Sequence, residues 1–347
     1  METAKLDTPF QLREGLHKRD IIRLSPDEVP IIDFGRIYGG NKADQRDLAR
    51  EFRDACTGPG FFYLTNHQFP QSVIDRAYAA MQQFFALPLE EKMKNHYLDW
   101  PNHRGYVPLN GIQADHSLKG SDISEAIEMA EDLPEDDPDY LRGLRFYGPN
   151  NWPQEPPDFR WALGTYYDCQ IELGRSVYRA FELALDLEPG YFTEKYTKPL
   201  SRTRVCYYPP QGEDFDIAHI GLGAHTDYEC FSTVWQNGVP GLQMLTLDGD
   251  WLELPAIPGT FAVNLGDLMQ QWTNDYFVST AHRVINTTTE PRYSLVQFVG
   301  VDYDVLVEGL PGCISADNPR KYEAIKAGEH SERMVARTYG YDGGASD

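Results

Sequence analysis

The chain has 347 residues, 41% hydrophobic and 13% aromatic, enough apolar material for one large domain or two ordinary ones, which excludes a disordered chain. Its 53 Asp and Glu outweigh 31 Lys and Arg, and the resulting charge of −22 repels phosphate backbones and anionic lipid, which argues against nucleic acid and membrane partners. Five cysteines (Cys56, Cys169, Cys206, Cys230 and Cys313) form an odd set without close pairing, so a cytoplasmic protein without a disulfide framework or thiolate zinc site is expected.

In chain order, METAKLDTPF has no basic segment leading into an apolar one, so no signal peptide is expected, and no later run reaches the length of a membrane span. VPIIDFGRI predicts a strand entering the core, DQRDLAREFRDAC a helix broken by TGPG, and FFYLTNH a short strand. In QSVIDRAYAAMQQFFALPLEEK, Ile74, Tyr78, Met81 and Phe85 recur at helical spacing until the Leu-Pro pair stops them. Residues 95–157 hold no sustained period and are rich in Pro, Gly, Asp and Asn. Their aromatics (Trp100, Tyr106, Phe146, Tyr147, Trp152) predict an ordered covering segment rather than a tether. A long helix is predicted from Phe159 to Leu187, with Tyr166, Cys169, Leu173, Val177 and Ala184 as its apolar stripe.

From Ser201 the texture changes to short strands separated by turn signals: TRVCYYPP, HTDYECFSTVWQ, GLQMLTLDGDWLELP, GTFAVNLGD, STAHRVIN and RYSLVQFVG. LDGDW is the clearest hairpin among them. Such spacing predicts a sandwich or jelly roll. A helix is expected in NPRKYEAIKAGEHSERMVARTYG, before a frayed DGGASD tail.

Within HTDYECFSTVWQ a histidine and a carboxylate interrupt an apolar strand, and a buried charge needs a partner. Successive side chains on a strand alternate faces, so His225 and Asp227 are expected to point to the same side. His282, in STAHRVIN, is far enough along for another strand to bring it alongside. Two imidazoles and one carboxylate on one face of a metal leave the opposite face open, as in non-haem Fe(II) oxygenases. Ten residues on, Arg292 and Ser294 share a face and offer a charged fork and a hydroxyl able to grip a carboxylate. His67, His96, His103, His219 and His330 have no such spaced partners and read as structural or surface residues.

His-x-Asp, a distal His and Arg-x-Ser resemble the Fe(II)/2-oxoglutarate-dependent dioxygenases of the isopenicillin N synthase-like superfamily. VPIIDF, GFFYLTNH, FFALPLEEK and RGY are similar to that superfamily's N-terminal domain; YYPP, GAHTDY, GLQM, VNLGDLMQQWTND, STAHRV and PRYS are similar to its oxygenase domain. The resemblance implies a double-stranded β-helix (a cupin-like jelly roll) flanked by helices, including one long helix. It also implies Fe(II) on His225, Asp227 and His282, with 2-oxoglutarate and O2 as cosubstrates. Arg292, Ser294 and Tyr208 would bind 2-oxoglutarate, and turnover would release succinate and CO2 while hydroxylating or desaturating a C–H bond.

A closer resemblance to bacterial members and to arginine-binding ethylene-forming enzymes lies in RGYVPLNGIQADHSLKGSDISEAIEMAEDLP, GPNNWP and GEHSERMVARTY. It implies a free cationic amino acid, arginine or a homologue, as substrate, with Asp115 and Ser117 at the guanidinium and Arg337 at the α-carboxylate. Three alternatives stay open at this point: an apolar secondary metabolite as substrate, a 2-oxoglutarate-independent oxidase of the isopenicillin N synthase kind, and a non-catalytic metal or 2-oxoglutarate binder. The expected organisation is 1–157 as N-terminal region and covering segment, 158–300 as long helix and oxygenase core, and 301–347 as a C-terminal strand, helix and tail.

Overall fold

A computed structural model describes residues 21–115 and 120–339, with side chains as far as Ala336. Two sheets face each other. The larger has eight strands in the spatial order Ile31–Asp33, Phe61–Thr65, Phe261–Leu265, Phe231–Gln236, Arg292–Val299, Arg202–Tyr208, Glu125–Ala130 and Gly105–Val107. The smaller runs Ile21–Arg23, Trp251–Glu253, Leu242–Leu245, His282–Val284 and Leu222–His225. Pairing is antiparallel except where Ile31–Asp33 meets Phe61–Thr65 and Ile21–Arg23 meets Trp251–Glu253. This is the expected jelly roll flanked by helices.

Alternation along the strands sorts side chains between two apolar layers. Tyr63, Ala126, Cys206, Tyr208 and Val234 face inward against Leu242, Met244 and Val284 of the smaller sheet. Val205, Leu295 and Val299 point the other way, into the layer shared with the helices. There the helix Phe159–Ala184 packs against the helices Lys42–Thr57 and Gln71–Phe85; Phe52 and Phe181 meet edge to face with ring centroids 5.7 Å apart. The buried carboxylate of Glu182 accepts the backbone N–H groups of Gly190, Phe192 and Thr193 at 3.1, 2.9 and 3.0 Å, and so turns the chain toward the strand Arg202–Tyr208. Among the described residues no helix is long and apolar enough to cross a membrane.

Three expectations need correction. Residues 95–157 are not wholly irregular: Gly105–Val107 and Glu125–Ala130 join the large sheet, which therefore draws strands from both sides of residue 157. Two buried acids hide the second strand in the sequence; Glu125 is neutralised by Lys92 and accepts the Tyr106 hydroxyl at 2.6 Å. HTDYECFSTVWQ is also not one strand. The chain leaves the smaller sheet at His225 and enters the larger at Phe231, so Asp227 lies in the crossing turn. The last helix starts only at Ala327, because Ile325–Lys326 pairs as a strand with Leu306–Val307.

Candidate metal centre and substrate cleft

The two histidines meet because their strands pair antiparallel with His225 directly opposite His282, which sets the ring centroids 4.3 Å apart. Asp227 arrives from the crossing turn, whose path depends on close backbone contact. Asp267 and Gly266 donate their N–H groups to the carbonyls of Asp227 and Cys230 at 2.8 and 3.0 Å. A Cβ on Gly266 would lie 2.1 Å from the Glu229 carbonyl oxygen, so any side chain there would push the turn away. Asp227 Oδ1 ends 3.6 Å from His225 Nε2 and 3.7 Å from His282 Nε2. The ligand-type atoms of the three residues all lie within 4.8 Å of one another. The shared side predicted from strand alternation is thus achieved by a turn.

Each member is aimed by its neighbours. His225 Nδ1 lies 2.8 Å from the Gly223 carbonyl and His282 Nδ1 3.2 Å from that of Thr280; a proton on each Nδ1 leaves both Nε2 lone pairs turned to the centre. Ser232 Oγ and Asn264 Nδ2, opposite one another on adjacent strands, both donate to Asp227 Oδ2 at 2.6 Å. Burial, followed by the neighbouring His282, pushes the His225 imidazole down to about 4, so the ring is neutral near pH 7. Burial alone would raise the Asp227 carboxyl, but the two imidazoles and the Ser232 and Asn264 donors hold it below the usual range. The result is two neutral nitrogen donors and one anionic oxygen, a set that could hold a divalent transition metal.

At the other end of the inner face, Arg292 stands opposite Tyr208 and Ser294 opposite Cys206. Arg292 is 1% exposed; its Nη2 donates to Gln236 Oε1 at 2.9 Å, while Nε, Nη1 and Ser294 Oγ have no hydrogen-bond partner. No carboxylate among the described residues pairs with it, and burial depresses its pKa. The Tyr208 ring lies under the guanidinium, 4.9 Å from centroid to Cζ. Gly241 makes room for the stem: with φ of +139°, its Cβ would lie 2.7 Å from the Ile285 carbonyl oxygen and 3.2 Å from Arg292 Cδ. Buried unmatched donors each cost about 1–3 kcal/mol, so this end could accept an anion from outside the chain.

Beside the triad opens a cleft of about 550 Å³, lined by Ile112, Ala114, Leu222, His225, Asp227 and Phe298 together with Glu128, Arg202, Arg204 and Glu229. The four charged residues alternate in sign along its wall: Arg204 pairs with Glu128, Arg202 Nη1 lies 3.6 Å from Glu128 Oε2, and Arg202 Nη2 lies 3.3 Å from Glu229 Oε1. None of the four was picked out in the sequence, although Arg202 and Arg204 sit two apart in an otherwise apolar strand and Glu229 two past Asp227.

Asp115, nominated for the substrate cation, is buried behind Gly223, whose Cβ would lie 2.8 Å from that of Asp115, and its charge acts on Arg283. It does not line the cleft, although its neighbour Ala114 does. Ser117 lies outside the described residues, as does the Arg337 side chain, whose backbone belongs to the helix Ala327–Tyr339. That helix is fastened over the crossing turn by His330, whose Nε2 lies 3.1 Å from the Tyr228 carbonyl.

Two family models match the chain: the N-terminal region of non-haem dioxygenases in morphine synthesis over residues 29–155, and the 2OG-Fe(II) oxygenase superfamily over residues 199–301. A 2-oxoglutarate-Fe(II) type oxidoreductase, hxnY, of Emericella nidulans is 34% identical over 91% of this chain and 92% of its own length. The homoarginine-6-hydroxylase 2-ODD-C23 of Glycine max is 33% identical over 90% of this chain and 97% of its own. Among solved structures, a full-length Neurospora crassa protein in complex with alpha-KG and thymine superposes with a TM-score of 0.79 at 27% identity, covering 91% of this chain and 99% of that one.

Proposed function

This chain belongs to the 2OG-Fe(II) oxygenase superfamily, and within it we propose that the chain hydroxylates or desaturates an unactivated C–H bond of a free cationic amino acid, arginine or a homologue, releasing succinate and CO2. The observation that carries the chemistry is the buried Arg292 guanidinium, with two nitrogens unmatched by the protein, on the inner face that also leads to the His225, Asp227 and His282 cluster. In this reading those three residues hold Fe(II), while Arg292, Ser294 and Tyr208 hold the distal carboxylate of 2-oxoglutarate. The fit is chemical as well as spatial. A carboxylate would accept from an unmatched guanidinium nitrogen of Arg292 and accept the Ser294 hydroxyl. The partners of the two sites, Ser232 for Asp227 and Gln236 for Arg292, lie four residues apart on one strand, about 13 Å at the usual rise.

When bound, Fe(II), 2-oxoglutarate and O2 supply an oxidant able to take hydrogen from an unactivated carbon. The protein's own part is positional. Gly223 and Thr280 fix both imidazoles with Nε2 toward the metal position, Ser232 and Asn264 fix Asp227, and the apolar layers between the sheets keep water from the cosubstrate end. Holding the target carbon beside the triad is the work of the cleft wall.

Three things support a cationic amino acid: buried acids beside the triad, the sequence resemblance to arginine-binding ethylene-forming enzymes, and the homoarginine-6-hydroxylase relative. Asp115, Ser117 and Arg337 are the head-group contacts that the resemblance nominates. The test is a panel of free amino acids screened for stimulated succinate release. Arginine or a homologue should stimulate well above norleucine, which has a similar aliphatic chain without the cation. Equal stimulation by norleucine would transfer the reading to an apolar substrate.

A further inference from the structure

The ion-pair wall of the cleft runs Arg204, Glu128, Arg202, Glu229, each charge next to its opposite. Glu229 ends the series. It is 5% exposed, its Oε1 faces Arg202 Nη2 at 3.3 Å, and its Oε2 is buried without a hydrogen bond. A half-satisfied carboxylate in a dry wall is costly, and natural interiors seldom leave one. Glu128, in the interior of the series, has an arginine at each oxygen. What continues the alternation past Glu229 is one more cation.

Glu229 is also well placed to receive it. It sits two residues after Asp227, in the turn that carries the triad's carboxylate, and it lines the cleft beside His225. It borders as well a second pocket, where the other lining includes Met129, Phe146, Leu200 and Val335. A ligand group held at Glu229 therefore lies in the cleft that His225 and Asp227 also line.

We propose that Glu229 Oε2 is the acceptor for the substrate's cationic group, an ammonium or guanidinium that completes the Arg204–Glu128–Arg202–Glu229 series. This rests on the cationic amino acid reading above and replaces Asp115 as the residue that meets the cation. Arg202, already drawn toward both acids, then serves to hold Glu229 in place.

The test is binding, read by calorimetry on the protein loaded with Mn(II) and 2-oxoglutarate in the absence of oxygen, with L-arginine and L-homoarginine as ligands. The expected result is about 100-fold weaker binding of both to Glu229→Gln, since removing one member of a buried ion pair is strongly unfavourable. 2-Oxoglutarate affinity should stay within about twofold, which reports that the variant is folded. If Glu229→Gln does not fold, Glu229→Asp carries the same test, with at least about tenfold weakening expected. Nα-acetylarginine and citrulline identify the source of the cation: whichever retains the Glu229-dependent affinity carries the group that Glu229 accepts. Unchanged arginine binding in Glu229→Gln, or loss of binding in Asp115→Asn instead, overturns the Glu229 assignment and leaves the substrate reading standing. If wild type binds norleucine as tightly as arginine, both fall together.

Discussion

Because Ser232 Oγ and Asn264 Nδ2 both donate to Asp227 Oδ2, only Oδ1 is left toward the two imidazoles, and the carboxylate is set for one-oxygen ligation. Removing either donor lets the carboxylate rotate and lowers its ability to hold a metal. Ser232→Ala and Asn264→Ala should each weaken Fe(II) binding about 10–100-fold, as measured by metal titration in the absence of oxygen. Wild-type affinity in both would mean that the two donors do not position Asp227 for a metal. The anion end makes a separate prediction. Arg292 presents two unmatched nitrogens, a geometry that a lysine ammonium cannot reproduce. Arg292→Lys should raise the KM for 2-oxoglutarate at least about tenfold while leaving the product unchanged. An unaltered KM would make Arg292 a structural residue.

The elements show why parts of the site were legible in the sequence and parts were not. His225, Asp227, His282, Arg292 and Ser294 stand out because each is a polar residue in a stretch that reads as an apolar strand, and the structure brings the first three together. A turn and not strand alternation brings Asp227 to the two histidines, and its course depends on contacts with Gly266 and Asp267 that lie some forty residues downstream. The strand Glu125–Ala130 was illegible for a related reason: its acids are buried only because Lys92, Tyr106, Arg202 and Arg204 come from other elements. Removing one of those partners tests this. Glu125→Ala leaves the Lys92 ammonium, 5% exposed, in an apolar layer and should destabilise the fold by about 3–5 kcal/mol. Lys92→Met with Glu125→Leu should recover most of that loss in urea unfolding. If the double variant is no better than the single, the pair is not what holds this strand.

At the scale of the whole molecule, the response to acid depends in part on half-buried histidines. Burial lowers His103, His225 and His330 from 6.5 to about 4; Arg145 adds to this at His103 and His282 at His225. Their folded pKa values lie below the unfolded ones, so between pH 6.5 and 4 the unfolded chain binds more protons. The stability they contribute is present above 6.5 and is lost as pH falls through 4. Asp267, raised from 3.8 to about 7 by burial, opposes them, as do Asp122, Glu131, Asp168 and Glu229, whose carboxyls burial also raises. Removing one ring isolates its share: as pH falls from 6.5 to 4.5, the urea midpoint of metal-free His330→Gln should gain on that of the wild type, and a constant difference would contradict the enclosure of that ring. The same enclosure that strips water from His282 and Arg292 fits the interior between the sheets for oxidising a bound molecule. Turnover of arginine or homoarginine under ¹⁸O₂ tests that most directly, with both the succinate and the amino acid analysed by mass spectrometry. The account predicts one labelled oxygen in succinate, matched mole for mole by an amino acid that has gained one labelled oxygen or lost two hydrogens. Oxidation of the amino acid without succinate, or succinate formed at the same rate whether a cationic amino acid is present or absent, would contradict it.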